Sequence, residues 1–246
     1  DICSIEMLQR FVGCCIPLVT EKLHKTEPTL PVVLIDPIDD LPHQRGGSVV
    51  EQWQFDFWSP EHDLGGWTHF TYDSASRSGW YVTALIGAQR PLVLVVDPKI
   101  QIPALSQYLE FRAEGIWAQH VCETPLEHWS IGLEAFGVSL ETVEDAMGDQ
   151  WGNRTGVGLD LEWERADSPH KTDIGFRQQC SVTGEVLIDQ EVIDLNAEGW
   201  RSRSWGSSLG LVDRPTGTGI HIQVGTTVLT VEPDFLGQPW RGQLSE

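Results

Sequence analysis

Gly158-Leu159-Asp160-Leu161-Glu162-Trp163-Glu164 places a carboxylate at every second position of an otherwise apolar run. In an extended strand successive side chains leave opposite faces. Asp160, Glu162 and Glu164 therefore share one face, and Leu159, Leu161 and Trp163 the other. The same alternation describes a strand with one wet side. If the acidic face instead lines a cavity, mutual repulsion and lost hydration favour a carboxyl that keeps its proton near neutrality, a group able to protonate an apolar substrate. Asp160, Glu162 and Glu164 are the first candidate catalytic residues.

The rest of the chain repeats this strand grammar. From Val49 onward short β-type runs alternate with turn signals. They include Glu51–Trp58, Gly66–Tyr72, Gly79–Gly87, Leu92–Asp97, one long strand over Leu109–Cys122, Glu127–Val138, Val157–Glu164, then separate strands Gly175–Val182 and Gly184–Ile188, Glu191–Leu195, Gly199–Trp205, Gly219–Val224 and Thr227–Val231. A capping-box pattern at Thr142 and Asp145, with Leu140, Val143 and Met147 at helical spacing, predicts one short helix. Another is expected over Ile5–Val12. The turn-rich stretch from Gly148 to Gly156 marks a boundary. Three segments are expected: an extension over 1–46, a first β domain over 47–150 and a second over 151–246.

Composition narrows the partners. Sixteen Lys and Arg against 36 Asp and Glu give a net charge of −20, which argues against nucleic acid and anionic membrane surfaces. No apolar run is long enough for an integral membrane segment. Five cysteines without a C-x-x-C pair indicate free thiols, and a cytoplasmic location is expected. Asn153-Arg154-Thr155 reads as a turn rather than a glycosylation site. No phosphate-cradling glycine motif, zinc-type His/Cys spacing or G-x-S-x-G elbow is present, so neither nucleotide-dependent chemistry, a metal nor a serine triad is expected. Eleven tryptophans, beside three tyrosines and eight phenylalanines, suit an oily cavity with a few polar anchors. The expected partner is a small hydrophobic molecule, and the sequence is compatible with a homodimer.

Two further stretches carry candidates. Between Trp117 and Trp129, polar and aromatic residues crowd together, with His120 among them. In the next strand His128, Ser130, Gly132 and Glu134 share a face, but His128 and Glu134 lie about 20 Å apart when extended. His128, a fourth catalytic candidate, must find its partner on a neighbouring strand. In Gly199-Trp200-Arg201-Ser202-Arg203-Ser204-Trp205-Gly206, Trp200, Ser202 and Ser204 face one way, and Arg201, Arg203 and Trp205 the other. An arginine here is expected to pair with the acidic heptad. Trp58, Trp117, His120, Trp129, Glu134, Trp163, Arg203 and Trp205 are the candidate substrate-binding residues.

The strand Trp53-Gln54-Phe55-Asp56-Phe57-Trp58, the Trp117–Trp129 segment, the L-E-W-E strand, the turn Cys180-Ser181-Val182-Thr183-Gly184-Glu185 and the G-W-R-S-R-S-W-G segment together resemble the carotenoid 1,2-hydratase (hydroxyneurosporene synthase) and AttH-like superfamily. The resemblance covers about residues 49–235. It is strongest to actinobacterial-type members, and looser to true carotenoid hydratases, tocopherol cyclases and fungal lipocalin-like Diels-Alderases. It implies an all-β protein of two lipocalin-like antiparallel barrel or sandwich domains packed together, with one or two short helices and an apolar pocket. It also implies cofactor-independent protonation of a carbon–carbon double bond in an isoprenoid or polyene: a hydratase, cyclase or isomerase. The family's D-H-x-W-G signature reads Ser202-Arg203-Ser204-Trp205-Gly206 here. Trp205 and Gly206 match, while serine and arginine replace the acid and the histidine. The proton donor must then have moved, or the protein is a non-catalytic carrier of an apolar molecule.

Overall fold

The computed structural model describes residues 35–43, 50–73, 75–101, 108–141, 145, 152–172, 174–206, 220–224, 227–232 and 241–245. Its strands are β1 (Val50–Ser59), β2 (Leu64–Asp73), β3 (Ser78–Gly87), β4 (Arg90–Gln101), β5 (Tyr108–Ala113), β6 (Ile116–Thr124), β7 (His128–Leu140), β8 (Asn153–Arg165), β9 (His170–Thr172), β10 (Gly175–Ile188), β11 (Glu191–Gly206), β12 (Ile220–Val224), β13 (Thr227–Glu232) and β14 (Arg241–Ser245). The described residues also form a 3-10 turn over Pro37–Asp40. Of the expected helix at 142–147 only residue 145 is described, and the one at 5–12 falls outside the described residues. No described helix is long and apolar enough to cross a membrane.

Sheet order runs β4-β3-β2-β1-β11-β10-β8-β7, and β4 joins β7 through Leu92↔Leu140 to Leu94↔Val138. Those eight antiparallel strands close on themselves, so the barrel has no free edge along this path. The other half of the same β7 edge, His128 to Ala135, carries β6, and β6 carries β5. β9 adds to β10, and β12-β13-β14 form a separate three-stranded sheet. The chain is all-β and lipocalin-like, as expected. Strands on either side of residue 150 join in one sheet: β7 pairs with β8, and β1 with β11.

Three strand readings change: Glu191–Leu195 and Gly199–Trp205 are parts of one continuous strand, β11. Leu109–Cys122 is a hairpin, because Gly115 at φ +76° turns the chain between β5 and β6. Conversely, Gly175–Ile188 is one continuous strand. Gly184, at φ +132°, bends it without ending it, and an added Cβ there would stand 2.0 Å from the Asp160 carbonyl oxygen.

The interior is filled by aromatic side chains. Phe55 on β1 meets Trp129, Trp163 and His120 at ring separations of 5.7, 5.3 and 5.8 Å. Phe111 stacks on Phe70 at 4.7 Å and reaches Tyr81 at 4.9 Å. These contacts give each ring pair about 0.5–1.5 kcal/mol beyond area burial. Leu159, Leu161 and Trp163 point into this core, so the heptad alternates as expected, and its three acids lie on the outer face.

One end of the barrel is capped by residues 36–43. Asp36 caps the 3-10 turn through the Ile38 amide at 3.0 Å, and Leu41 packs on the core. Asp40, fully buried, accepts from Arg201 at 2.6 and 3.0 Å, from the Leu126 amide at 2.6 Å and from the Trp129 indole at 3.0 Å. Gln178 accepts a further Arg201 hydrogen bond at 2.5 Å. Arg203 lies over the Trp53 ring at 3.9 Å, pairs with buried Glu51, and donates to the Leu41 and Ser204 carbonyls. The two arginines thus bind the cap, not the heptad. β10 separates β11 from β8, and the heptad acids face the opposite way.

Candidate functional site

The β1 strand is buried on both faces. Inner-face Trp53, Phe55 and Phe57 belong to the core, yet outer-face Gln52 and Gln54 are only 3% and 4% exposed. A barrel exterior is ordinarily wet, so a dry polar patch there marks a protected surface.

Strand register assembles that patch in three rows. Gln52 lies beside Thr71 of β2 and Ser204 of β11, and Thr71 beside Trp80 of β3. Gln54 lies between His69 and Ser202, and Ser202 beside Arg177 of β10. Asp56 lies between Trp67 and Trp200. His69, 1% exposed, bonds Thr71 through Nε2 at 2.8 Å and packs against Trp67 and Trp80 at 5.7 and 5.3 Å. Arg177 places its guanidinium 4.9 Å over Trp200 and 3.8 Å from the Asp56 carboxylate.

The electrostatics single out one acid. Loss of hydration raises Asp56 above the ordinary carboxylate range, against the opposing pull of Arg177 and of the Gln54 amide, which donates at 3.3 Å. Its side chain nevertheless keeps 30% exposure, which leaves it within reach of a bound molecule. Asp56 on β1 thus combines a raised proton affinity with tryptophans on both neighbouring strands, Trp67 and Trp200. Burial holds the His69 imidazole down to about 3, so it is neutral. Among the described residues, Gln52 Nε2, Trp67 Nε1, His69 Nδ1 and Ser202 Oγ are buried on this face with no hydrogen-bond partner.

The residues singled out from sequence are divided among three environments. Asp160 and Glu164 stand in solvent on the outer face of β8. Glu162, half-exposed, accepts from Ser130 at 2.9 Å and meets His128 Nε2 at 2.6 Å, so His128 does find its partner on the neighbouring strand, though on the barrel's outside. Glu134 and Trp58 are exposed, and Trp117 donates to Glu110 at 3.4 Å. Trp129, Trp163 and His120 are in the core. His120 has neither ring nitrogen partnered, and burial among Phe55, Tyr81 and Phe111 holds it down to about 3. Arg203 and Trp205 belong to the cap, where Trp205 packs on His43 at 4.8 Å. His43 also contacts Asp39 at 3.2 Å and, through Nδ1, Arg203 at 3.3 Å.

Sequence reasoning missed Asp56, His69, Trp67, Trp80 and Arg177 as a group. Period-two alternation around Trp53–Trp58 does put Gln54, Asp56 and Trp58 on one face, but their neighbours come from β2, β10 and β11. Cys122 and Cys180 are buried free thiols, pushed up by burial to about 12 and 11. Among the described residues, no three His, Cys, Asp or Glu side chains converge as metal ligands.

The closed antiparallel barrel, plugged at one end by a 3-10 turn, defines a lipocalin-like protein. Residues 36–209 match the model of the family described as a domain of unknown function, DUF7064, and the chain belongs to that family. Its fold is similar to that of a Nitrosomonas europaea protein provisionally assigned as AttH, with a TM-score of 0.53 and 15% identity over 84% of this chain. The chain spans 66% of that protein's length. No curated protein matches.

Proposed function

We propose that this chain is a cofactor-independent acid catalyst of the hydratase, cyclase or isomerase kind, acting on a hydrophobic isoprenoid-like or polyene substrate at the indole-walled outer face of β1. Asp56 is the proton donor. The single observation that carries this reading is the raised carboxyl of Asp56 between Trp67 and Trp200. The resemblance to the carotenoid hydratase and AttH-like superfamily, with fold likeness to the Nitrosomonas protein, supports the same class of chemistry.

The step balances without a redox partner. The Asp56 O–H bond breaks as the alkene π pair forms a C–H bond, leaving a carbocation on the adjacent carbon and a carboxylate on the protein. Arg177, 3.8 Å away, then stabilises that carboxylate, while indole faces stabilise the cation. Loss of a different proton back to Asp56 gives an isomer. Capture by water, which yields its proton to Asp56, gives a hydrated product, and capture by an internal π bond followed by proton loss gives a ring. Asp160, Glu162, Glu164 and His128, exposed to water, are not assigned the donor role here.

The Arg177 contact also favours a second reading, in which Asp56 is a structural partner and the face binds without turnover. Incubation with a panel of linear polyenes, with products followed by mass spectrometry for the native protein and Asp56→Asn, separates the two. Products from the native protein alone support catalysis; saturable binding with no product from either leaves a carrier.

A further inference from the structure

Gln52 and Asp56 mark the two ends of the protected face. They stand four positions apart on β1, about 13 Å along an extended strand. The Asp56 end has Trp67 and Trp200; the Gln52 end has Thr71 and, one strand further, Trp80. Gln52 Nε2 can only donate and has no acceptor, although the residue is 3% exposed. His69 Nδ1 and Ser202 Oγ, in the row between, are also unpartnered. Buried donors are ordinarily satisfied. Gln52 Nε2 must donate, while His69 Nδ1 and Ser202 Oγ can each donate or accept, so this dry face, with a tryptophan at each end, has open hydrogen-bonding capacity that an oxygen atom from elsewhere can fill.

We infer that the molecule taken by this face is oxygenated at the end remote from Asp56: an elongated terpenoid or polyene whose hydroxyl, ether or ketone oxygen accepts from Gln52. This rests on the acid-site reading for the position of the reacting double bond. A bare hydrocarbon would leave the Gln52 N–H group dry and unpaired, whereas an oxygen there restores the missing bond. The preference expected for the oxygenated molecule is about tenfold or more in affinity. The neutral His69 and Ser202 accept or donate as required, so the face selects uncharged oxygen functions.

The test compares geranylgeraniol with the hydrocarbon in which hydrogen replaces its hydroxyl group, each titrated into the native protein by indole fluorescence. The alcohol should bind about tenfold tighter or more, and Gln52→Leu should bring the two within about threefold. Should that variant not fold, the ratio for the native protein decides alone. Equal affinities in the native protein overturn the inference. If Asp56→Asn still abolishes product formation in that case, the acid-site reading stands by itself. If neither probe quenches saturably, the inference is overturned and the site reading loses its support.

Discussion

Asp40 and Arg201 are 161 residues apart in the chain and meet in a two-pronged ion pair, at 2.6 and 3.0 Å, inside the capped end of the barrel. Both are almost fully buried. Removing two charges from water is costly, and the cost is offset here by the Leu126 amide, the Trp129 indole and Gln178, which complete the hydrogen bonding.

Asp40→Ala leaves the Arg201 guanidinium buried and uncompensated. It should lower stability by about 3–5 kcal/mol, measured by urea unfolding. Replacing both residues, as Asp40→Leu with Arg201→Met, should recover much of that loss. A single replacement that costs under about 1 kcal/mol would show that the cap does not depend on this pair.

His69 and His120 should control stability in acid. Each is held from 6.5 down to about 3 by burial. Between those values the unfolded chain takes up protons that the folded chain refuses, so stability is full above pH 6.5 and falls as pH drops toward 3. Each contributes a loss of about 2–3 kcal/mol between pH 6.5 and 4.5. The raised Asp56 acts with the opposite sign, favouring the folded state at low pH and losing that contribution as pH rises. Urea unfolding of His120→Phe at the two pH values should show a loss smaller by one histidine's share; an unchanged loss contradicts the assignment.

Glu162→Gln should change stability by no more than about 0.5 kcal/mol, because the His128–Glu162 contact is half-exposed on the barrel's outside. Product formation from any accepted polyene should also be unaltered. A large fall in turnover would return the heptad to the chemistry.

Much of the fold was written in local pattern. Alternation alone sent Leu159, Leu161 and Trp163 one way and the three acids the other, and it split Trp200, Ser202 and Ser204 from Arg201, Arg203 and Trp205. Which partner each side chain would meet was not legible, because pairing is set by register and closure. Nothing near Arg201 in sequence points to Asp40. Asp56 looks like one more acid among 36. Its raised proton affinity arises only when β2 and β11 bring Trp67 and Trp200 alongside and strip its hydration, which outweighs the opposing pull of Arg177 on β10. The Leu109–Cys122 reading failed for a local reason: Gly115 turns the chain inside a run of mixed polar and apolar residues that otherwise scans as one strand.

The most direct test of the account is product formation by Asp56→Asn, with binding measured on the same preparation. Asparagine keeps the shape and the hydrogen bonding but cannot give up a proton in the same way. The account predicts that turnover falls by about a hundredfold or more, while affinity for the substrate changes little. Native turnover should fall as pH rises through a single inflection above the ordinary carboxylate value of 3.8. Undiminished turnover by Asp56→Asn would contradict it.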